Sequence, residues 1–408
     1  MRFAIAQSGG PTCAINASLV GVHLELFAMG NDSAHIAPIE VLGVRNGIQG
    51  LLEERFVNLN EALQSEEDVE LLRKTPSTAL GSCRFRLPTV GKNDSIYQKI
   101  QHILEKNNID TFFYIGGNDS MDTVAKLSTW LSAQNSPVKV IGVPKTIDND
   151  LVCMDHTPGF GSAAKYVAMT IQEIIRDSSV YNVPSVAICE IMGRDAGWLT
   201  ASTCVLRANG EDAPHLIYLP ESDFSISQFL ADVRTQLAQR NTVICAVSEG
   251  VTPPDAEQFR SGTNDEFGHA YLSGIGKFLE TQVRNEIGVK VRSMELNVMQ
   301  RCSSHLASAC DLTEAENVGR YAAKLAMQGR TGRVVTMRRV SDAPYRIEYS
   351  DAAADAVANI TRKFPSKWIS DAGNQVSDEA VDYFLPLIQG EVAPTMRNGL
   401  PTHFRFAI

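Results

Sequence analysis

The sequence predicts an α/β chain of doubly wound domains with mostly parallel sheets, and three observations carry that expectation. Short apolar runs bounded by glycine or proline recur, helical patterns separate several of them, and five runs end in glycine-rich or polar tips. The runs are Phe3 to Gln7, Thr111 to Ile115, Val138 to Val143, Ser185 to Ile191, Thr242 to Val247 and Arg333 to Val340, which read as buried strands. Between several of them lie the helical patterns Asn16 to Met29, Met121 to Ala133, Ala163 to Arg176, Phe229 to Gln239 and Ala315 to Gln328. This is the βαβ alternation of a parallel sheet.

The tips are Ser8-Gly9-Gly10, Gly116-Gly117-Asn118-Asp119-Ser120, Pro144-Lys145-Thr146, Met192-Gly193-Arg194 and Ser248-Glu249-Gly250. Open parallel sheets bind ligands beyond the carboxyl ends of their strands, so tips distant in sequence can converge on one crevice. At 408 residues and 44% hydrophobic side chains, the chain exceeds the usual size of one core, and two domains are expected. Thr252 to Phe267 and Ser341 to Tyr345 read as linkers or surface insertions, and Tyr383 to Ile388 as a packing segment.

Composition narrows the ligand. Lys plus Arg against Asp plus Glu gives 37 − 47 = −10, without long runs of one sign, which argues against nucleic acid or an anionic membrane surface. An anionic small ligand must therefore be held by a few placed cations and backbone amides. The eight cysteines form no CxxC pair, so a reduced, cytoplasmic chain is expected. No stretch reaches the roughly 18 apolar residues of a membrane span, and the eight histidines lack zinc-site spacing.

Three constellations can carry chemistry. The turn from Ser8 to Ala17 follows a strand and opens a helix, so its backbone amides suit a phosphate, although it is neither GxxxxGK[ST] nor GxGxxG. The turn Gly116 to Ser120 combines two glycines with an amide and a carboxylate able to face Mg²⁺. Pro144-Lys145-Thr146-Ile147-Asp148-Asn149-Asp150 is the most specific, placing a cation, a hydroxyl and two carboxylates after a strand. Phosphoryl transfer needs positive charge on the equatorial oxygens, a metal, and a carboxylate to accept the attacking hydroxyl's proton; Lys145, Asp150 and Asp148 suit those tasks.

These stretches, with Gly81-Ser82-Cys83-Arg84-Phe85 and Gln300-Arg301, stand in the order found in phosphofructokinases, and from about Phe3 to Arg333 the chain resembles that family. The resemblance implies two Rossmann-like domains with the active site in the cleft between them. The larger, donor-binding domain would span 1–158 plus about 300–345, and the smaller, sugar-phosphate domain 159–299 plus about 346–408. It implies reversible transfer to the C1 hydroxyl of fructose 6-phosphate, giving fructose 1,6-bisphosphate, with Asp148 as base. Thr146, Met192, Gly193, Arg194, Glu249 and Arg301 would hold the sugar phosphate, and Gly10 and Arg84 would contact the donor. Arg292 matches a position that reaches across a subunit interface, so a homodimer or homotetramer is implied.

Asp119 and Lys145 stand where ATP-using relatives have glycine, which points to pyrophosphate as donor: a carboxylate at 119 repels a nucleotide's α-phosphate, and Lys145 supplies charge to the transition state. Mg²⁺ is the implied cofactor, with Asn118 and Asp150 as its ligands, although Asn118 replaces a family aspartate. Ser185 replaces an arginine and Val298 a histidine of the acceptor pocket, which implies a broader acceptor range, sedoheptulose 7-phosphate included. The rivals are an ATP-dependent phosphofructokinase, a non-catalytic regulatory subunit of the same family, and a lipid or NAD kinase.

Overall fold

The structure, a computed structural model, describes residues 1–32, 38–254, 260–264, 270–272 and 274–406. Its larger sheet has seven strands, from edge to edge Tyr345–Ala353, Arg333–Asp342, Lys139–Pro144, Thr111–Gly116, Arg2–Gln7, Glu40–Val44 and Phe56–Asn58. The interior pairings are parallel and only the two edge strands run antiparallel. A second sheet, Lys290–Glu295, Ser185–Ile191, Thr242–Ser248 and Leu216–Tyr218, is parallel throughout.

The apolar runs form strands because both their faces are covered. Successive strand residues point to opposite sides: Phe3, Ile5, Phe113 and Ile115 enter one core, Ala4, Ala6, Phe112 and Tyr114 the other. In the second sheet Val186, Ile188, Val243 and Cys245 face one core, and Ala187, Cys189, Ile244 and Ala246 the opposite one. The expected helices form over Ile15–Asp32, Asn118–Ala133, Phe160–Ser178, Ile226–Leu237 and Ala309–Met327. The last starts well before Ala315 because the Ser308 side chain accepts from Asp311 N–H and caps it. It crosses Ile15–Asp32 at backbone contact: a Cβ on Gly21 would lie 2.0 Å from Glu316 O, and one on Gly319 2.1 Å from Ser18 O.

Three stretches of the later chain can be set against their expectations, and the last packs as expected. Residues 341–345 hold the tip of a hairpin, with Ala343-Pro344 as its turn, and its second strand, Tyr345–Ala353, pairs along the larger sheet, so a handover near residue 346 would fall inside that strand. Of 252–267, residues 255–259 and 265–267 lie outside the described residues, while Arg260–Asn264 pairs with Ala270–Leu272. Tyr383 to Ile388 closes the helix Asp378–Phe384 and continues as a 3₁₀ turn, burying Phe384 and Leu387 in a core with Cys189 and Ile191. Among the described residues no helix is long and apolar enough to cross a membrane.

A buried ionic network stands where the turn from Pro144 to Asp150 leads into Phe160–Ser178. His156 meets Asp155 through Nδ1 at 2.8 Å and Glu314 through Nε2 at 2.6 Å, while Tyr345 Oη donates to Glu314 Oε1 at 2.8 Å. Burial alone would push the imidazole down, but Glu314 and Asp155 outweigh it and hold it up at about 9. The stabilisation this imidazolium brings is complete below its unfolded value near pH 6.5 and is lost as pH rises through about 9, an effect of about 3 kcal/mol. NMR titration of the His156 ring checks this: a midpoint near 9 is expected, and one at or below 6.5 would show a ring buried neutral.

Candidate active site

Parallel pairing brings the tips together. Ser8 N–H donates to Ile115 O and Lys145 N–H to Gly116 O, both at 2.9 Å, so the first three lie side by side, and Glu249 N–H donates to Ile191 O at 2.8 Å to join the other two. They open on a cleft of about 700 Å³. Of the residues expected to act, Gly10, Arg84, Asn118, Asp119, Lys145, Thr146, Asp148, Asp150, Met192, Arg194, Glu249 and Arg301 all line it. Gly193 adjoins it, its N–H donating to Glu249 Oε1 at 3.3 Å. Arg292 is exposed on Lys290–Glu295 and does not line it.

Two of the tip glycines, Gly116 and Gly250, are required by close approach. A Cβ on Gly116 would lie 1.9 Å from Ser120 Oγ, and one on Gly250 2.0 Å from Arg194 O. In the first turn, however, the Thr12 hydroxyl accepts from Ala14 N–H at 3.3 Å and Ile15 N–H at 3.0 Å, so these two amides are already capped, and the turn meets the cleft through Ser8 to Thr12. The open amide cradle expected there is thus reduced by its own threonine.

The third turn is the centre of the site. Asn149, at φ 55°, takes a left-handed conformation and is buried, its amide donating to Tyr383 Oη at 3.1 Å and its carbonyl oxygen accepting from Thr157 N–H at 3.0 Å. That reversal leaves both Asp148 and Asp150 lining the cleft. Thr146 Oγ1 donates to Asp148 Oδ2 at 3.2 Å and accepts from Asp148 N–H at 3.1 Å, fixing the carboxylate. Lys145 is buried, and its Nζ donates to Gly10 O at 2.5 Å.

Burial sets the electrostatics. It pushes the Asp148 carboxyl up against the opposing pull of the Thr146 hydroxyl, Lys145 and Arg194. Burial, then the neighbouring Asp148, pushes Asp150 up to about 7, and burial lowers Lys145 to about 8 although Asp148 pulls the other way. Glu249 is also raised by burial. Opposite these acids, the Nε atoms of Arg194 and Arg301 are buried and meet no acceptor. Such donors are costly unless an anion satisfies them, so the site is built to receive negatively charged oxygens between cations.

Asn118 does not match its expected role as a metal ligand. Its Oδ1 accepts from Asn359 N–H at 2.5 Å and its Nδ2 donates to Ile360 O at 2.9 Å, so the amide latches a later segment. That segment was missed in the sequence: Asn359 and Thr361 line the cleft, and the Arg362 guanidinium caps the third turn at Asn149 O. Asn-Ile-Thr-Arg carries no motif that marks it, since its partners are mostly backbone atoms.

Comparison with known proteins agrees with this geometry. The family model described as phosphofructokinase matches residues 2–326. A pyrophosphate-fructose 6-phosphate 1-phosphotransferase of Xanthomonas campestris is 39% identical over 404 residues, covering 98% of this chain and 94% of that protein. The crystal structure of a pyrophosphate-dependent phosphofructokinase from Marinobacter aquaeolei superposes with a TM-score of 0.86 at 33% identity, covering 99% of this chain and 95% of that one. An ATP-dependent 6-phosphofructokinase of Mycobacterium tuberculosis is more distant, 32% identical over 340 residues, 83% of this chain and 91% of that protein. Matched over most of its length by the family model and nearly end to end by these relatives, the chain belongs to the phosphofructokinase family.

Proposed function

We propose that this enzyme reversibly transfers a phosphoryl group from inorganic pyrophosphate to the C1 hydroxyl of D-fructose 6-phosphate, giving fructose 1,6-bisphosphate and phosphate, a step able to serve glycolysis or gluconeogenesis. The observation that carries the reading is buried Lys145 with half-buried Asp148 and Asp150, lining one cleft with Arg194 and Arg301, whose Nε atoms are unsatisfied. Asp148, oriented by Thr146, takes the proton of the attacking hydroxyl. Arg194 and Arg301 offer donors to the sugar phosphate, while Thr146, Met192, Gly193 and Glu249 shape its pocket. Gly10 and Arg84 border the donor end, where Lys145 brings its charge.

Mg²⁺ fits the residues present. Among the described residues no group of three His, Cys, Asp or Glu side chains could hold a metal by itself, and Mg²⁺ is commonly held by one or two carboxylates plus substrate phosphates and water. Asp150 and Asp119 would hold it; when bound, it supplies neutralising charge to the phosphate oxygens. Exposed Arg292 suits a role in a neighbouring subunit's site within a homodimer or homotetramer, and the eight free cysteines fit a reducing cytoplasm.

For the donor, the reading rests on Asp119 and Lys145 in the cleft and on the greater likeness to the pyrophosphate-named relative than to the ATP-named one. Initial rates of fructose 1,6-bisphosphate formation with pyrophosphate or ATP supplied separately test it. Turnover with pyrophosphate alone is expected, and Asp119→Gly should raise ATP use. Turnover of the unaltered enzyme with ATP alone would overturn the donor assignment, and turnover with neither would favour a non-catalytic member of the family.

A further inference from the structure

Arg362 lies far in sequence from every cleft motif, yet it carries the densest set of contacts to the catalytic turn. Its Nε and one terminal nitrogen donate to Asn149 O at 3.1 and 2.8 Å, and the other terminal nitrogen donates to Met154 O at 2.9 Å and also to Asp155 O. Its backbone N–H donates to Asp150 O at 2.7 Å, next to a Thr361 bridge to Leu151. One planar guanidinium therefore closes residues 149–155 into a ring, using donors that point in fixed directions.

The segment around it reaches the other tips. Asn359 and Ile360 take both ends of the Asn118 amide. On the acceptor side the Arg362 guanidinium stacks 4.3 Å from the Trp198 ring centroid, and Trp198 Nε1–H donates to Arg362 O at 2.9 Å. Lys363 Nζ donates to Asp195 O, and Glu221 accepts from both Phe364 N–H at 2.8 Å and Gly197 N–H at 3.0 Å. The donor turn, the catalytic turn and the loop after Met192-Gly193-Arg194 thus share one brace.

We propose that residues 359–364 form a clasp holding these three turns in register, and that Arg362 is its positioning residue, setting where Asp148 and Asp150 stand relative to the acceptor without touching substrate itself. Thr361, at the cleft wall, is the clasp's nearest approach to the ligands. A clasp of this kind acts on the geometry of reaction more than on ground-state binding, because the Arg362 guanidinium spends its contacts on residues 149–155 and the Trp198 ring. The assignment of an effect on turnover rests on the proposed pyrophosphate reaction.

The test uses the full chain with Arg362→Ala and Arg362→Lys, read by kinetics and by hydrogen exchange. Arg362→Ala should lower kcat about 100-fold, the scale of a misplaced reacting group, with KM for fructose 6-phosphate and pyrophosphate changed less than about threefold. Free guanidinium ion should restore part of the lost kcat, and amides of residues 148–155 should exchange faster. Arg362→Lys should retain most of the kcat loss, since an ammonium lacks the fixed fork, and at an unchanged Tm; this variant decides the matter if Arg362→Ala does not fold. Wild-type kcat in the lysine variant, a loss confined to KM, or unchanged exchange over 148–155 would overturn the clasp. An unaltered enzyme idle with pyrophosphate would overturn the proposed reaction instead, and the exchange rates would still decide the clasp.

Discussion

Asp148→Ala should lower kcat by about 10² to 10⁴, the contribution usual for a general base, while KM for fructose 6-phosphate stays level or falls. The direction of the second effect follows from the surroundings. Lys145 and Arg194 pull on the Asp148 carboxylate, so removing it leaves their positive charge with fewer opposing acids and more available to an anionic substrate. Asp148→Asn separates shape from basicity: the amide can still accept from the Thr146 hydroxyl but takes no proton, so its kcat should fall like that of the alanine variant. Steady-state kinetics in the direction of fructose 1,6-bisphosphate formation provides the measurement. Either variant turning over at the wild-type rate would remove Asp148 from the proton-transfer role.

Lys145→Met should lower kcat with pyrophosphate by about 10² to 10³, the cost typical of losing one aimed transition-state donor. Methionine fills similar space, so the buried site need not collapse, but the charge and the hydrogen bond to Gly10 O both disappear. The pH profile gives a second readout. Burial sets Lys145 at about 8, so it is charged at neutral pH and loses its proton above that value, and the unaltered enzyme should show an alkaline fall in kcat/KM near 8. The acid limb belongs to Asp148, which burial raises above the usual carboxylate range. In Lys145→Met the alkaline limb should vanish and the acid limb should move upward, since a cation that favoured the Asp148 carboxylate is gone. An alkaline limb unchanged in the variant would assign it to another group.

What the sequence revealed follows from how each part does its work. The parallel strands were legible because cover on both faces turns them into unbroken apolar runs, and the catalytic turn because its lysine, threonine and aspartates are contiguous. The roles given to Glu249 and Arg301 came from family resemblance, since a lone acid or arginine after an apolar run has no diagnostic spacing. Thr12 misled because one side chain that caps two amides looks the same in sequence as an open phosphate turn. Asn118 misled because its partners are backbone atoms of residues 359 and 360, and a backbone partner leaves no trace in side-chain pattern. The hairpin to Ala353 escaped for a related reason: as an edge strand it alternates half-buried and exposed positions from Tyr345 to Ser350 instead of forming an apolar run.

The latch between Asn118 and Asn359 spans 241 positions of the chain, and the Arg362 contacts to Asn149 span 213. Contacts of such separation form only after long loops have closed, and the strands around Asn118 and Asn149 emerge from the ribosome long before their brace. A nascent chain can therefore build much of the larger sheet while its catalytic turn still lacks support. During refolding, recovery of turnover should trail recovery of helix and sheet signal, because the reactive geometry is completed from the far end of the polypeptide.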